Sequence, residues 1–421
     1  MNRAGRLEPL RSPDSAGAGR VTNGARAPAD TGIRAVAHGS DIAIVGAGPA
    51  GCWAAYRLAR AGARVALIDG SHPREKPCGG GVTGRALTLV SGAIDVRRLP
   101  CCTIRSARVA DSLHDRSVAV PLDGDALVVA SRAEFDGSLL AAAIEAGATL
   151  VSSRALDVTR RAQGFLVRTI AGPVESRLVI GADGANSLVR RRLARPFVRA
   201  DLSIATGYFV HGATGHEIIV EFLADPPGYL WSFPRPGHLA VGICAQADGD
   251  ATAGALRARA GIWIRQMDLA HDARLEPYSW PIPSLSASGF GSLTTSGPGW
   301  FLAGDAAGLV DPITREGIYF ALLSGEWAAQ AAASTDRAAH ARYRERIHDE
   351  IAVDLARAAK YKAGFFRPRF TRLVIDALGQ SAGVRAVMAD LVAGRQAYST
   401  LKWSLAKTCE VGLAWRALTS T

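Results

Sequence analysis

The sequence has no uninterrupted apolar run approaching the ~18–20 residues that a membrane-crossing helix needs. Its N-terminal stretch also lacks the apolar core of a secretory signal, so a cytoplasmic setting is expected. Six cysteines, at 52, 78, 101, 102, 244 and 409, show no metal-ligand spacing, and none cluster as an iron–sulfur centre requires. They read as reduced thiols, with the vicinal Cys101 and Cys102 as packing residues. The nine histidines are scattered and form neither a zinc pair nor a catalytic dyad, so no metal is expected. Arginines and aromatics do not interleave into a stacking platform, which argues against nucleic acid. Internal repeats are absent as well.

A net charge of +11 would ordinarily suggest a polyanion or a membrane surface. Its distribution changes that reading. Residues 1–40 carry six arginines against three acids, and residues 340–421 carry fourteen bases against seven acids. Between them stand twenty-nine bases and twenty-eight acids, so the middle is nearly neutral. The length of 421 residues suits two or three joined domains. Residues 1–39, rich in Arg, Ala, Gly and Pro and without periodicity, read as a disordered tail. An Arg-rich transit peptide is the alternative, and its acids and prolines count against it.

At Asp41 the texture changes. Asp41-Ile-Ala-Ile-Val45 has the composition of a buried parallel strand. Gly46-Ala-Gly48-Pro-Ala-Gly51 follows, then a helical stretch over 52–61 and a second strand, 64–68, ending at Asp69. In such a unit Gly46 allows the tight turn, Gly48 lets the main chain approach a pyrophosphate, and Gly51 lets helix and strand pack closely. Free amides at the helix start supply an anion site, and Asp69 would accept hydrogen bonds from ribose hydroxyls. No second unit of this kind is present, so a nicotinamide cofactor would dock transiently or another donor would serve.

Trp300-Phe-Leu-Ala-Gly304 reads as a strand running into Asp305, followed by Gly308 and by Asp311-Pro-Ile-Thr-Arg-Glu-Gly317. A carboxylate at a strand's end suits ribityl hydroxyls. The helix expected to begin near Thr314 aims the amides around Gly317 and Ile318 at what lies before it. A flavin's N1–C2=O edge becomes negative on reduction, so this arrangement favours a flavin over nicotinamide. Residues 148–152 are expected to start an antiparallel stretch, 203–245 and 276–296 to be strands, and the chain from Arg315 onward to be helical. Tyr229, Trp231 and Phe233 alternate, facing one way while Leu230 and Ser232 face the other; they form either a wall for an apolar ligand or a plain sheet core. Cys78, in Lys76-Pro-Cys78-Gly79-Gly80-Gly81, has cations at Lys76 and Arg74 nearby. These favour thiolate chemistry or proton relay, the alternative being a small packing residue. Phe365, Phe366 and Phe370 interleave with Arg367, Arg369 and Arg372, as a peripheral contact to anionic lipid or a diphosphate head, or as an Arg-rich helical cap.

Over about residues 41–402 these motifs resemble the FAD-dependent geranylgeranyl reductase family, within the para-hydroxybenzoate hydroxylase-like flavoproteins. The matching pieces are the 46–51 fingerprint, Lys76 to Gly81, Arg132 with Phe135-Asp136, and Gly181-Ala-Asp183-Gly184. To these are added Tyr229-Leu-Trp231-Ser-Phe233-Pro234, the 304–317 segment, and Gly394 to Leu401 with Tyr398. The fold expected is α/β and two-domain. A Rossmann-type FAD domain would take residues 40–199 and 297–335, with part of the substrate domain inserted near 85–130. A mostly antiparallel sheet over 200–296 would bind substrate, and a helical region would span 336–421. The resemblance implies that Arg132, Asp183 and Gly184 belong to the FAD site and that Asp305 holds the ribityl chain. It further implies that Cys78 and Gly79 lie over the reactive face, and that Tyr229, Trp231 and Phe233 line a prenyl pocket.

The implied activity is saturation of prenyl double bonds by hydride from reduced FAD, with a water or Cys78 as proton donor and NAD(P)H or a reduced carrier protein as electron source. Arg315 departs from the family, which usually has Gly there. Two rivals remain open. An oxygen-dependent hydroxylase or halogenase shares the fold, although a halogenase would carry Trp-x-Trp-x-Ile-Pro where this chain has Tyr229-x-Trp231-x-Phe233-Pro234. A prenyl-binding escort like Rab GDP-dissociation inhibitor shares it without redox chemistry. Oligomeric state is left open.

Overall fold

Short apolar runs separated by glycine turns build the largest sheet of the computed structural model, which describes residues 39–112, 116–270 and 272–408. The tail expected at 1–39 lies outside these residues except for Gly39, as does Cys409. Six strands lie side by side in the order Ser296–Gly297, Trp300–Leu302, Gly172–Gly181, Ser40–Val45, Val65–Ile68, Thr149–Val151. All neighbours are parallel except the first pair. Their near-continuous burial fits strands covered on both faces. The helices Arg132–Glu145 and Ile318–Ala333 both pack against Pro49–Arg60. Ala155–Arg161 and Gly164–Thr169 extend the sheet as an antiparallel meander on Gly172–Gly181.

Two strand expectations are corrected. Thr149–Val151 does not begin the antiparallel stretch; it pairs in parallel with Val65–Ile68. The chain reaches it from the helix Arg132–Glu145, and a strand entered from such a crossover runs parallel. The stretch 276–296 is a strand only to Pro283; Ser286 then caps a short helix, Ala287–Gly291.

The second sheet has seven strands, in the order Arg274–Pro283, Leu202–His211, His238–Gln246, Pro227–Arg235, Glu217–Ala224, Ser106–Asp111, Arg116–Pro121. Neighbours are antiparallel except Glu217–Ala224 with Ser106–Asp111. Two strands from the region near 85–130 thus complete a sheet otherwise built from residues 202–283. A third, three-stranded sheet joins Gly81–Thr83, Leu127–Ala130 and Cys101–Thr103. Cys101 and Cys102 pack against two different apolar clusters from that last strand.

Strand alternation divides the seven-stranded sheet cleanly. Leu230, Val241 and Ile243 face the helix Ala253–Gln266, contributing to a cluster with Leu256, Trp263 and Ile264. Tyr229, Trp231, Phe233 and Cys244 face the other way, toward the C-terminal helices. There they meet Phe366, Ile375 and Leu378. The C-terminal region therefore roofs this sheet face. Among the described residues no helix is long and apolar enough to cross a membrane.

Candidate active site

Four adjacent parallel strands deliver their following residues to one edge of the large sheet. Ser40–Val45 runs into Gly46, Val65–Ile68 into Asp69, Gly172–Gly181 into Asp183 and Gly184, and Trp300–Leu302 toward Asp305. Carboxyl ends of parallel strands are where open α/β sheets bind ligands. At the fingerprint, Gly46 adopts φ +103°, and a side chain there would meet the Ala182 carbonyl at 2.3 Å. A Cβ on Gly51 would lie 1.8 Å from the Gly46 carbonyl. The turn can be this tight only with glycine at both positions. Pro49 then opens the helix, whose first amides have no side-chain cap. This cradle fits a dinucleotide pyrophosphate.

Asp69, expected to receive ribose hydroxyls, is also bonded within the protein. One oxygen accepts from the Ala47 amide at 2.8 Å and faces His72 Nδ1 at 2.9 Å; the other accepts from the Ser71 amide and hydroxyl. Burial works against its charge, but His72 and these amides outweigh it and hold the carboxyl below the usual range. Asp183 accepts the Leu188 and Val189 amides through one oxygen, at 2.6 and 3.2 Å. Its other oxygen is buried without a partner among the described residues, and burial pushes this carboxyl up. Asp305 receives Lys76 Nζ at 3.3 Å and faces Gly317.

The helix expected near Thr314 begins at Ile318, with Gly317 before it. The reason lies in the preceding turn. Asp311 accepts the Ile313 and Thr314 amides at 2.7 and 3.0 Å, and Arg315 sits at φ +60°, which breaks a right-handed helix. That angle also explains why glycine suits position 315. Tyr398 closes the turn by donating to Asp311 at 2.8 Å, while burial pushes the Asp311 carboxyl up. The neighbouring Glu316 is half-buried, its carboxyl is pushed up by desolvation, and it is held by Thr83 at 2.9 Å and by Arg85.

The loop carrying Cys78 is pinned from the other sheet. Arg235, fully buried at the end of the aromatic strand, donates to Glu75 and to the carbonyls of Cys78 and Gly79. Burial alone would raise Glu75, but Arg235 and Ser131 overcome it and hold the carboxyl below its ordinary value. Gly79 lies against the Phe233 ring, close enough that a Cβ would approach it to 3.0 Å. The cations expected beside Cys78 face elsewhere. Lys76 pairs with Asp305, and Arg74 stacks over Trp280 at 5.0 Å. The cation that does interact with Cys78 is Arg132, buried and gripped by Asp136 through contacts of 2.9 and 2.7 Å. Opposed by burial, Asp136 and then Cys78 raise the guanidinium above its ordinary value.

Part of this arrangement borders one cavity of about 250 Å³, whose lining does not include Gly46, Gly48, Gly51, Asp69, Asp183 or Gly184. Pro49, Cys78, Gly79, Arg132, Asp305, Gly317 and Ile318 stand on one side, and Tyr229, Trp231, Phe233 and Phe365 on another. Gly308, by contrast, turns with φ +83° beneath Leu285 and Phe197 and is not part of the lining. Of the two readings of the Phe–Arg segment, the helical cap describes how its first two aromatics pack. Phe366 is core and Phe365 lines the cavity against Phe222, because their helix roofs the sheet; Phe370 alone of the three is exposed.

Arg235, Glu75, Glu316 and Lys362 were not singled out by the sequence. Arg235 directly follows the aromatic motif and Glu75 directly precedes Lys76, so position was their available signal. Lys362 donates to Gln246 at 2.7 Å and Ser284 at 2.8 Å, and burial with Arg315 pushes it down to about 7.

Replacing Arg235 with Met should destabilise the protein by on the order of 3 kcal/mol and speed amide exchange over residues 76–81. Unchanged exchange there would contradict the pinning role. Between about pH 7 and 10.5 the unfolded chain binds a proton at Lys362 that the folded chain does not, so this group makes stability rise with pH across that window. The stability difference between wild type and Lys362→Met, followed by urea denaturation, should therefore rise through that window and be flat below it. A difference flat throughout would refute the depressed amine.

A family model for FAD dependent oxidoreductases matches residues 41–119. The chain is 31% identical over 312 residues to a geranylgeranyl diphosphate reductase from Rhodobacter capsulatus, covering 69% of this chain and 74% of the relative. It is 30% identical over 373 residues to digeranylgeranylglycerophospholipid reductase 2 from Methanothermobacter thermautotrophicus, covering 80% and 88%. A solved geranylgeranyl bacteriochlorophyll reductase-like structure from Thermoplasma acidophilum aligns with a TM-score of 0.73 at 23% identity, covering 88% of this chain and 99% of that one. That likeness fixes the two-domain FAD-binding fold. With these identities and coverages, and with Pro49 of the fingerprint, the Asp305–Ile318 segment and the aromatic strand lining one cavity, the chain belongs to the FAD-dependent geranylgeranyl reductase family.

Proposed function

We propose that this protein saturates carbon–carbon double bonds in a prenyl chain. The observation that carries the reading is the single chamber shared by the flavin motifs and the apolar sheet face. Val109, Ile218, Phe222 and Trp231 contribute to its wall, together with Met388 and Val392 from the C-terminal helices. FAD, when bound, supplies the hydride. The residues that would hold it are the Gly46–Gly51 turn, Asp183, Asp305 and the amides at Gly317 and Ile318.

The chain's own contribution is positioning and dryness. An isolated alkene is weakly basic, so water must be excluded while one proton is delivered. Tyr229, Trp231 and Phe233 exclude water, and Arg235 keeps the Cys78 loop against them. Cys78 or a water is the proton donor in this reading. Reducing equivalents come from a nicotinamide cofactor or a reduced carrier protein that docks transiently. The oxygen-dependent rival makes a different demand, because its product needs dioxygen.

We also propose peripheral contact with anionic membranes. Trp403 is 66% exposed on the helix Tyr398–Ala406, between Lys402 and Lys407, and Phe370 is exposed on a separate C-terminal helix, Pro368–Gln380.

Photoreduced protein mixed anaerobically with a prenyl lipid should reoxidise its flavin and yield saturated product. Trp231→Ala should raise KM by about tenfold through lost apolar contact. Product that forms only when oxygen is admitted would reject the reductase reading. In flotation assays the protein should rise with anionic liposomes at low salt, and Trp403→Ala should reduce the bound fraction; no flotation at low salt removes the membrane contact.

A further inference from the structure

Beyond one end of the chamber lining the same sheet face turns polar, following strand period. Ala205 pairs with Cys244, and both line the chamber; two residues along, Ser203 pairs with Gln246. Ile282 lines it too, and Ser284 lies two residues further. Onto these three polar groups converge two cations from different elements. Arg315 donates to Ser284 Oγ at 2.6 Å and to Ser203 Oγ at 2.9 Å. Lys362, one helical turn before the chamber residue Phe365, donates to the same Ser284 Oγ and to Gln246 Oε1. Arg315 itself borders the chamber.

Donors here outnumber acceptors. A guanidinium offers five N–H groups and an ammonium three. Their partners are two hydroxyls and one amide oxygen, all neutral, and Ser203 and Ser284 also turn their own hydroxyls toward Gln246 Oε1. Arg315 Nε is buried with no acceptor. No carboxylate stands within ion-pair distance of either cation among the described residues. Two partly buried like charges meeting at one buried hydroxyl are unfavourable unless an anion joins them. The backbone even accepts a left-handed angle at Arg315 to hold this arrangement.

We infer that Arg315 and Lys362 form a subsite for an oxyanion head group, phosphate or carboxylate, carried on the apolar chain that fills the chamber. This rests on the prenyl reading above and adds a charge to the substrate's head, excluding a neutral one. The head's oxygens would take the spare guanidinium and ammonium hydrogens, and its charge would offset their mutual repulsion. Burial and the charge of Arg315 depress Lys362 more than the attraction of Asp248, beyond ion-pair distance, restores it, which fits an amine with no contacting counter-ion.

The test is isothermal titration of the FAD-loaded protein with decyl phosphate, decanoate, decanol and inorganic phosphate, repeated on Arg315→Gly and Lys362→Met. One or both charged amphiphiles should bind roughly tenfold to a hundredfold tighter than decanol. Each variant should lose most of that preference while binding decanol as before. Arg315→Gly removes a strained side chain, so loss of fold is not expected, and the retained decanol affinity reports it. Equal binding of charged and neutral amphiphiles by the wild type, or a preference surviving in either variant, overturns the inference and leaves the prenyl reading standing. Inorganic phosphate binding as tightly as decyl phosphate overturns it as well, by assigning the site to a free anion. Failure of every amphiphile to bind, decanol included, rejects the prenyl reading and the subsite together.

Discussion

The arrangement depends on one buried guanidinium. Arg235 ends an aromatic strand of the seven-stranded sheet and reaches across to the loop that carries Cys78. Arg235 holds the Cys78 and Gly79 carbonyls, while the Ala130 amide holds that of Gly80; a glycine-rich segment has little side-chain packing of its own. With the guanidinium in place, Gly79 is pressed on Phe233 and the loop becomes a wall of the chamber. A buried cation so placed must be compensated, and Glu75, tied in turn to Ser131 and the Ala133 amide, does so. The pin therefore joins the flavin-side loop, the helix after Ser131 and the substrate-side sheet.

The same sheet solves two packing problems with one alternation. Its outer face buries against a single helix, while its inner face is left partly unfilled beneath the C-terminal helices. A cavity in an apolar interior costs stability, because its lining atoms lose dispersion partners. A ligand of matching apolar surface recovers those contacts. The chamber thus reads as a destabilised region maintained for occupancy, and the left-handed Arg315 adds local strain beside it.

Much of the cofactor side was legible in the sequence because its residues act through the backbone. Gly46, Gly51 and the strand ends at Asp69 and Asp305 follow from local spacing, and parallel pairing then brings them to one edge. The Tyr229–Phe233 alternation was readable for the same reason. What could not be read were partners distant in sequence. Lys76 stands two residues from Cys78 yet faces Asp305, and Arg132 takes its place beside the thiol. Phe365 and Phe366 sit among arginines in a pattern that fits either a lipid contact or a helical cap, and only the packing shows which sheet face the cap covers. The parallel pairing of Thr149–Val151 likewise depends on where a preceding helix packs, which no local pattern encodes.

The central claim is that this chamber serves reduction of a prenyl chain. Mass spectrometry of lipid and quinone extracts from cells with and without the gene addresses it directly. Cells with the gene should contain a prenylated compound heavier by two hydrogens for each bond saturated, and cells without it should accumulate the unsaturated form. A gene-dependent product that instead carries an added oxygen or halogen would contradict the claim.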